Sequence, residues 1–204
     1  VGGEAEYFAE PNNIYEFINL IKWSNLNNKK CRIIGAGSNL LINNVLLKGL
    51  TICTKKMKSF KVDPFSGIIE VEAGFMLPTF ANLLAKNGLQ GGEWTIGIPG
   101  TVGGAICMNA SSGNLSLANN LLTVKVIDTK TLEIYEIIMK DINFKINSEN
   151  SILVTYEKNS LDFGDMRSKK PSPDADTVEC GGDAGDTSVR PFLGGTVELE
   201  ACIN

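Results

Sequence analysis

The chain has 204 residues, of which 43% are hydrophobic and 21% charged, and its formal net charge is −4. This composition excludes a wholly disordered protein, and the slight excess of acidic side chains argues against a general nucleic-acid binder, which usually carries a basic face. Because the chain contains no histidine, it cannot use Ser-His-Asp or Cys-His catalysis, a histidine general base or a histidine metal ligand.

The unpaired cysteines and the lack of a long apolar run favour a cytoplasmic protein. The five cysteines form no Cys-x-x-Cys pair, and an odd number fits a disulfide framework poorly, so we expect free thiols in a reducing compartment. No apolar run approaches the ~20 residues that a membrane helix needs, and no signal-peptide pattern opens the chain. The first residue is Val1 rather than methionine, which suggests a trimmed N-terminus. We expect no membrane insertion, no metal and no nucleic-acid partner.

Strand and helix patterns alternate through the first two thirds of the chain. The predicted strands are 6–9, 32–34, 51–53, 68–71 and 122–126, the last with a hairpin partner at Leu132 and Ile134. Two segments have apolar residues at i, i+3, i+4 and i+7, which is one face of a helix. They are Ile14, Phe17, Ile18 and Ile21, then Leu77, Phe80, Ala81 and Leu84. Pro78 stands early in the second helix and Gly88 is its expected stop. The pattern predicts an α+β fold with two small lobes, residues 1–55 and 56–159.

Composition changes near residue 160. Residues 1–159 hold 19 of the 20 asparagines and 19 of the 20 isoleucines, and their net charge is +1 (15 basic, 14 acidic side chains). Residues 160–204 carry 4 basic and 9 acidic side chains, net −5, with few large apolar residues. This predicts a divergent tail over 160–204 that is loop-rich or disordered and contributes little to the core. Two origins stay open: an ordinary flexible C-terminus, or a foreign segment from a shifted reading frame or a fusion.

A glycine-rich loop follows the second predicted strand. Its sequence, Gly-Ala-Gly-Ser-Asn-Leu-Leu over 35–41, lets the backbone take positive φ and lets successive N–H groups converge on an anion. The dinucleotide fingerprint Gly-x-Gly-x-x-Gly is broken, since Leu40 occupies its last position, and no Walker-type Gly-Lys-Ser/Thr follows. Alone, this loop is equally consistent with a tight turn.

A second glycine-rich segment contains seven glycines among residues 88–104. A hairpin needs fewer, and a helix or strand interior would be weakened by roughly 0.5–1 kcal/mol per glycine. Such a segment is typical of backbone that lies flat against a planar ring or a pyrophosphate. Close packing between the two lobes is the alternative.

Five motifs stand in order along the chain and together carry a family resemblance. They are Val-Gly-Gly-Glu-Ala-Glu-Tyr over 1–7, Ile-Ile-Gly-Ala-Gly-Ser-Asn-Leu-Leu over 33–41, Gly-Glu-Trp over 92–94, Ile-Pro-Gly-Thr-Val-Gly-Gly-Ala over 98–105, and Met-Asn-Ala over 108–110. Over about residues 1–143 the chain resembles the UDP-N-acetylenolpyruvoylglucosamine reductase family. The resemblance implies a two-lobed FAD-binding domain of the vanillyl-alcohol-oxidase type.

The family resemblance also implies a cofactor, a reaction and a set of site residues. FAD is bound without a covalent bond, NADPH reduces it, and hydride then passes to the enolpyruvyl double bond of a UDP-sugar during peptidoglycan precursor synthesis, while an enzyme acid protonates the neighbouring carbon. The first loop would hold the FAD pyrophosphate, the second would run along the flavin, and Asn109 would face the ring or the sugar. The implied cofactor-binding residues are Gly35, Ala36, Gly37, Ser38, Asn39, Leu40, Gly74, Gly97, Ile98, Pro99, Gly100, Thr101, Gly103, Gly104 and Asn109.

The chain departs from the family where catalysis is expected. Ile146 and Asn147 stand where the family has the Tyr-Arg of a Tyr-Arg-x-Ser motif, and an amide cannot supply the charge of a guanidinium. No Gly-Ser-x-Phe-x-Asn-Pro segment with its proton-donating serine is present, and Ser172, Ser188 and Glu200 lie in the wrong context. No catalytic residue is therefore assigned. Three hypotheses remain: the reductase represented by its FAD-binding part, a non-catalytic FAD-binding module, and another oxidoreductase of the same superfamily.

Overall fold

The computed structural model describes residues 3–139 in full and, beyond them, the backbone of five strands. Three α-helices lie in the described part: α1 Ile14–Leu26, α2 Leu77–Lys86 and α3 Val102–Cys107. Fifteen strands lie there too: β1 Ala5–Ala9, β2 Cys31–Ile34, β3 Leu47–Cys53, β4 Phe60–Val62, β5 Ile68–Glu72, β6 Leu89–Gln90, β7 Ser111–Ser112, β8 Leu115–Ser116, β9 Leu121–Asp128, β10 Ile134–Ile138, β11 Ile142–Ile146, β12 Ile152–Tyr156, β13 Asp176–Cys180, β14 Val189–Glu198 and β15 Glu200–Ala201. None of the described helices is long and apolar enough to cross a membrane.

The first lobe is a small parallel sheet with one helix packed on it. The strand order is β1-β3-β2, and both neighbours run parallel to β3. Asn13 caps the start of helix α1, because its side chain accepts a hydrogen bond from the N–H of Glu16. Phe17 and Ile21 on its inner face are fully buried against Leu50 and Ile52 of β3. The predicted strand–helix–strand opening is confirmed.

The second lobe is built on a five-stranded sheet in the order β10-β9-β14-β5-β4. Its strands are antiparallel to their neighbours. Helices α2 and α3 contribute to the larger apolar cluster, which includes Leu77, Leu84 and Ile106. Helix α2 ends as predicted, because Gly88 with φ +66° follows its C-terminal residues in a conformation that suits glycine.

The β9–β10 hairpin confirms one prediction and corrects a detail of it. Ile134 pairs with Ile127 as the first residue of β10. Leu132 instead lies in the turn, with φ +63°, and its N–H donates to the carbonyl of Asp128. The Asp128 carboxylate accepts the N–H groups of Lys130 and Thr131, which fixes that turn.

Strand β14 differs from the loop-rich structure expected for residues 160–204. It lies between β5 and β9, with Val197 opposite Ile69 and Gly195 opposite Val124. Such a position satisfies backbone N–H and carbonyl groups of both neighbouring strands, which is a physical reason for this glycine- and proline-containing segment to be recruited there. Pro191 falls where the pairing with β9 is irregular, as expected for a proline in a sheet.

The domain boundaries at residues 55 and 159 stay predictions. The two apolar clusters divide the chain in a similar way, but Met57 and Ile127 belong to the cluster of the first lobe. Asn147, Ser172 and Ser188 lie outside the described residues.

Candidate functional site

The first glycine-rich loop begins where β2 ends. Gly37 has φ +72°, and the loop closes with a hydrogen bond of 3.2 Å from the N–H of Leu40 to the carbonyl of Gly37. Within residues 3–139, the N–H groups of Gly37, Ser38 and Asn39 donate to no protein acceptor. Three successive N–H groups with no acceptor among these residues are available to donate to an anion.

The second glycine-rich segment runs from a 3₁₀ turn at Glu93–Gly97 into α3. Gly100 has φ +135°, and its carbonyl accepts the N–H of Leu77 at 3.0 Å. Thr101 is 2% exposed and caps α3, since its Oγ1 accepts the N–H of Gly104 at 3.3 Å. The segment is thereby fixed at its helical end.

The two glycine-rich segments touch each other. Ser38 Oγ donates to the carbonyl oxygen of Pro99 at 3.0 Å. A Cβ on Gly35 would stand 2.2 Å from Oγ1 of Thr101, so glycine at 35 is required by this contact. The two segments therefore lie against each other, and we call residues 35–40 the first wall and residues 97–104 the second wall.

Both walls border a cavity of about 640 Å³. Thirteen of the fifteen predicted site residues line it: Gly35, Ala36, Gly37, Ser38, Asn39, Leu40, Gly97, Ile98, Pro99, Gly100, Thr101, Gly103 and Gly104. Residues 57 to 69 positions apart in the chain are thus brought to one site. Their contact with a cofactor remains a prediction.

Gly74 and Asn109 are not part of the cavity wall. Gly74 is in close contact with the backbone of the Thr54–Lys56 turn, where an added Cβ would stand 1.8 Å from the carbonyl oxygen of Thr54. Asn109 has φ +41°, and its side-chain oxygen accepts the N–H of Ala118 at 3.3 Å. The contact of these two residues with a cofactor stays a prediction.

Ten further residues line the cavity and were missed from the sequence. They are Ile33, Ile34, Thr54, Ala73, Leu77, Ala105, Cys107, Met108, Ala110 and Ser111. Seven of them stand inside the family motifs or directly beside one, so assigning whole motifs and their neighbours to the site would have found them: Ile33, Ile34, Ala105, Cys107, Met108, Ala110 and Ser111. Thr54, Ala73 and Leu77 come from other elements and carry no signal of their own.

The described cavity wall contains no lysine, arginine, aspartate or glutamate. The resolved pKa shifts belong to groups elsewhere; for instance, a hydrogen bond from Lys125 at 2.8 Å lowers the pKa of Glu70 and raises that of Lys125. Within the described part of the chain, no cluster of three or more histidine, cysteine, aspartate or glutamate residues could hold a metal. The wall can bind and orient a ligand through backbone groups, but it offers no carboxylate or ammonium group for proton transfer.

Solved structures share the fold. A UDP-N-acetylenolpyruvylglucosamine reductase from Thermus caldophilus aligns with a TM-score of 0.58 and 24% identity, over 98% of this chain and 56% of that one. Wild-type Phl p 4.0202, a glucose dehydrogenase, aligns with a TM-score of 0.55 and 14% identity over 66% of this chain and 29% of that one. These likenesses confirm the α+β fold of the vanillyl-alcohol-oxidase type.

Curated relatives are more similar in sequence. UDP-N-acetylenolpyruvoylglucosamine reductase from Prochlorococcus marinus subsp. pastoris is 69% identical over 162 residues, which cover 78% of this chain and 55% of that protein. The protein of the same name from Prochlorococcus marinus strain NATL2A is 45% identical over 144 residues, covering 71% of this chain and 49% of the relative. The chain therefore spans about half the length of the curated relatives it matches.

The residues of the cavity fit the cofactor that these likenesses imply. An added Cβ at Gly37 or Gly97 would meet no atom within 4 Å, so both glycines leave open space where a ligand can approach the backbone closely. The adjacent N–H groups at 37–39 suit a pyrophosphate. The family model described as "FAD binding domain" matches residues 5–135. The chain belongs to this family of FAD-binding domains, and FAD is its cofactor.

Proposed function

We propose that this chain is the FAD-binding part of a cytoplasmic UDP-N-acetylenolpyruvoylglucosamine reductase. The reaction is the NADPH-dependent reduction of UDP-N-acetylglucosamine enolpyruvate to UDP-N-acetylmuramate in peptidoglycan precursor synthesis. The observation that carries the proposal is the cavity between the two glycine-rich walls, in a chain 69% identical to a protein of that name.

The residues of the two walls have different roles in this function. The N–H groups of Gly37, Ser38 and Asn39 hold the FAD pyrophosphate, and Gly97 to Gly104 lie along the flavin. When bound, FAD supplies the hydride transfer. Leu77 and Ile98 give the cavity apolar surface, which excludes water from the ring. The chain has no histidine through which a flavin could be attached, and we expect acid to release the cofactor.

A second candidate is a FAD-binding module without this catalysis. It is favoured by the lack of carboxylate and ammonium groups in the described cavity wall and by Asn147 at the family's arginine position. In the first candidate, the proton donor and the UDP-sugar site belong to the part of the relatives that this chain does not span.

An anaerobic stopped-flow experiment tests whether this chain alone carries out the reduction of the enolpyruvyl substrate. The FAD-loaded chain is reduced with NADPH and then mixed with UDP-N-acetylglucosamine enolpyruvate. Loss of a charge-stabilising donor typically costs about 10²–10³ in rate, and loss of a general acid about 10²–10⁴, so the 204-residue chain alone should show no rapid reoxidation. A full-length relative serves as the positive control. Rapid, substrate-dependent reoxidation of this chain would show that residues within 144–204 supply the missing groups.

A further inference from the structure

The side chain of Ser38 connects the two walls of the cavity. Its Oγ donates to the carbonyl oxygen of Pro99 at 3.0 Å, across 61 positions of the chain. The same oxygen lies 3.0 Å from the point where a Cβ on Gly100 would stand. Ser38 is therefore hydrogen-bonded to Pro99 and lies beside the open side of Gly100.

A serine hydroxyl has one proton to donate. A pyrophosphate oxygen in FAD is an acceptor only, so it needs a donor. While Ser38 Oγ donates to Pro99, the hydroxyl cannot also donate to a phosphate. The free donors of the first loop are the backbone N–H groups of residues 37–39, as described above.

We propose that Ser38 is a positioning residue that holds the two walls together before the cofactor binds, rather than a side-chain donor to the pyrophosphate. The proposal rests on FAD as the ligand of this cavity. The family resemblance places Ser38 among the cofactor-binding residues. The hydrogen bond to Pro99 assigns its hydroxyl proton to the protein instead.

The segment that Ser38 holds is the one that most needs restraint. Gly97 and Gly100 flank Ile98 and Pro99, and Gly100 has φ +135°. Glycine loses more conformational freedom than other residues when it is fixed, so this segment is costly to order on ligand binding. The Thr101 cap fixes the segment at α3, and the Ser38–Pro99 bond fixes it before Gly100. A segment ordered in advance binds its ligand more tightly.

Hydrogen exchange on the ligand-free full chain tests the proposal. In Ser38→Ala, amides in peptides covering 97–104 should exchange about two- to tenfold faster than in the wild type, because one hydrogen bond is lost. The dissociation constant for FAD should rise by a similar factor. Ser38→Thr keeps the hydroxyl and should restore slow exchange in the ligand-free chain. Ser112→Ala, at an exposed serine of β7 outside the cavity wall, is the matched control and should change neither measurement.

Two results would overturn the proposal. If Ser38→Ala weakens FAD binding but leaves exchange of the ligand-free chain unchanged, Ser38 is a direct phosphate donor. If neither the exchange rate nor the FAD dissociation constant changes, the Ser38–Pro99 hydrogen bond does not hold the two walls together. Faster exchange in Ser38→Ala, combined with failure of the wild type to bind FAD, would support the connection between the walls while rejecting the proposed function.

Discussion

Glycine is needed for different reasons at the two ends of the second wall, residues 97–104. At its helical end, an added Cβ on Gly103 would stand 2.7 Å from Cβ of Ala73, so the protein's own packing requires glycine there. At its other end, Gly97 has open space around it and no positive φ, so nothing within the described protein requires glycine. The comparison teaches that one glycine-rich motif combines a packing requirement with a ligand requirement, which substitutions can separate.

The largest expected effect is on Gly103. In Gly103→Val, a branched side chain would be forced against Ala73 in the buried start of α3, and overpacking of this kind typically costs about 1–3 kcal/mol. We expect the free energy of unfolding, measured by urea denaturation, to fall by about 3 kcal/mol, and FAD uptake to be lost with the fold. A variant as stable as the wild type would show that the packing requirement is absent.

The second-largest expected effect is a loss of FAD affinity when Gly97 is replaced. In Gly97→Ala, the added methyl group meets no protein atom, so the urea midpoint should stay unchanged. The methyl group would occupy space that the ligand needs, and we expect the FAD dissociation constant to rise about tenfold, which corresponds to ~1.4 kcal/mol. Fluorescence titration measures this. Unchanged FAD affinity would mean that Gly97 does not approach the cofactor.

Gly37→Ala is the matched comparison for Gly97→Ala, because Gly37 also has open space but has φ +72°. Left-handed backbone costs a non-glycine residue roughly 1–2 kcal/mol. Stability should therefore fall at position 37 and not at position 97. Equal stability of the two variants would contradict the assignment of backbone strain to Gly37.

At Gly104 we expect a smaller change in the free energy of unfolding, and its sign is opposite to that at Gly103 and Gly37. This helical residue is exposed, and a Cβ would stand 3.4 Å from Oγ1 of Thr101, an ordinary contact. Alanine in a helix is favoured over glycine by up to about 1 kcal/mol. Gly104→Ala should therefore raise the free energy of unfolding while weakening FAD binding. A rise in both quantities would place Gly104 away from the cofactor.

The family motifs predicted the two walls because glycine in each wall has a local signature in the sequence. The support behind the walls could not be predicted in this way. Thr54 and Ala73 reach the cavity through the packing of distant elements, and the close contact of Gly74 with the Thr54 turn likewise depends on that packing. Strand β14 was missed for a related reason: its place between β5 and β9 depends on backbone pairing, to which a glycine- and proline-containing segment gives little local signal.

The smallest expected effect concerns the first lobe away from the cavity. Hydrogen bonds from Lys29 and from the N–H of Gly49 lower the pKa of Glu6 below its ordinary value of 4.5. The stability that Glu6 contributes is therefore present above about pH 4.5 and is lost as the pH falls through the lowered pKa. Glu6→Gln should melt slightly below the wild type at pH 7, and the difference should shrink towards pH 3. A difference that grows on acidification would contradict this sign. FAD affinity at pH 7 should be unchanged.

The most direct test of the central account is the binding of FAD by the ligand-free wild-type chain, followed by acid precipitation. The account predicts one FAD per chain, and all of the flavin should appear in the supernatant because no covalent bond holds it. A folded chain that takes up no FAD would contradict the assignment of the cavity. Flavin retained in the pellet would contradict non-covalent binding.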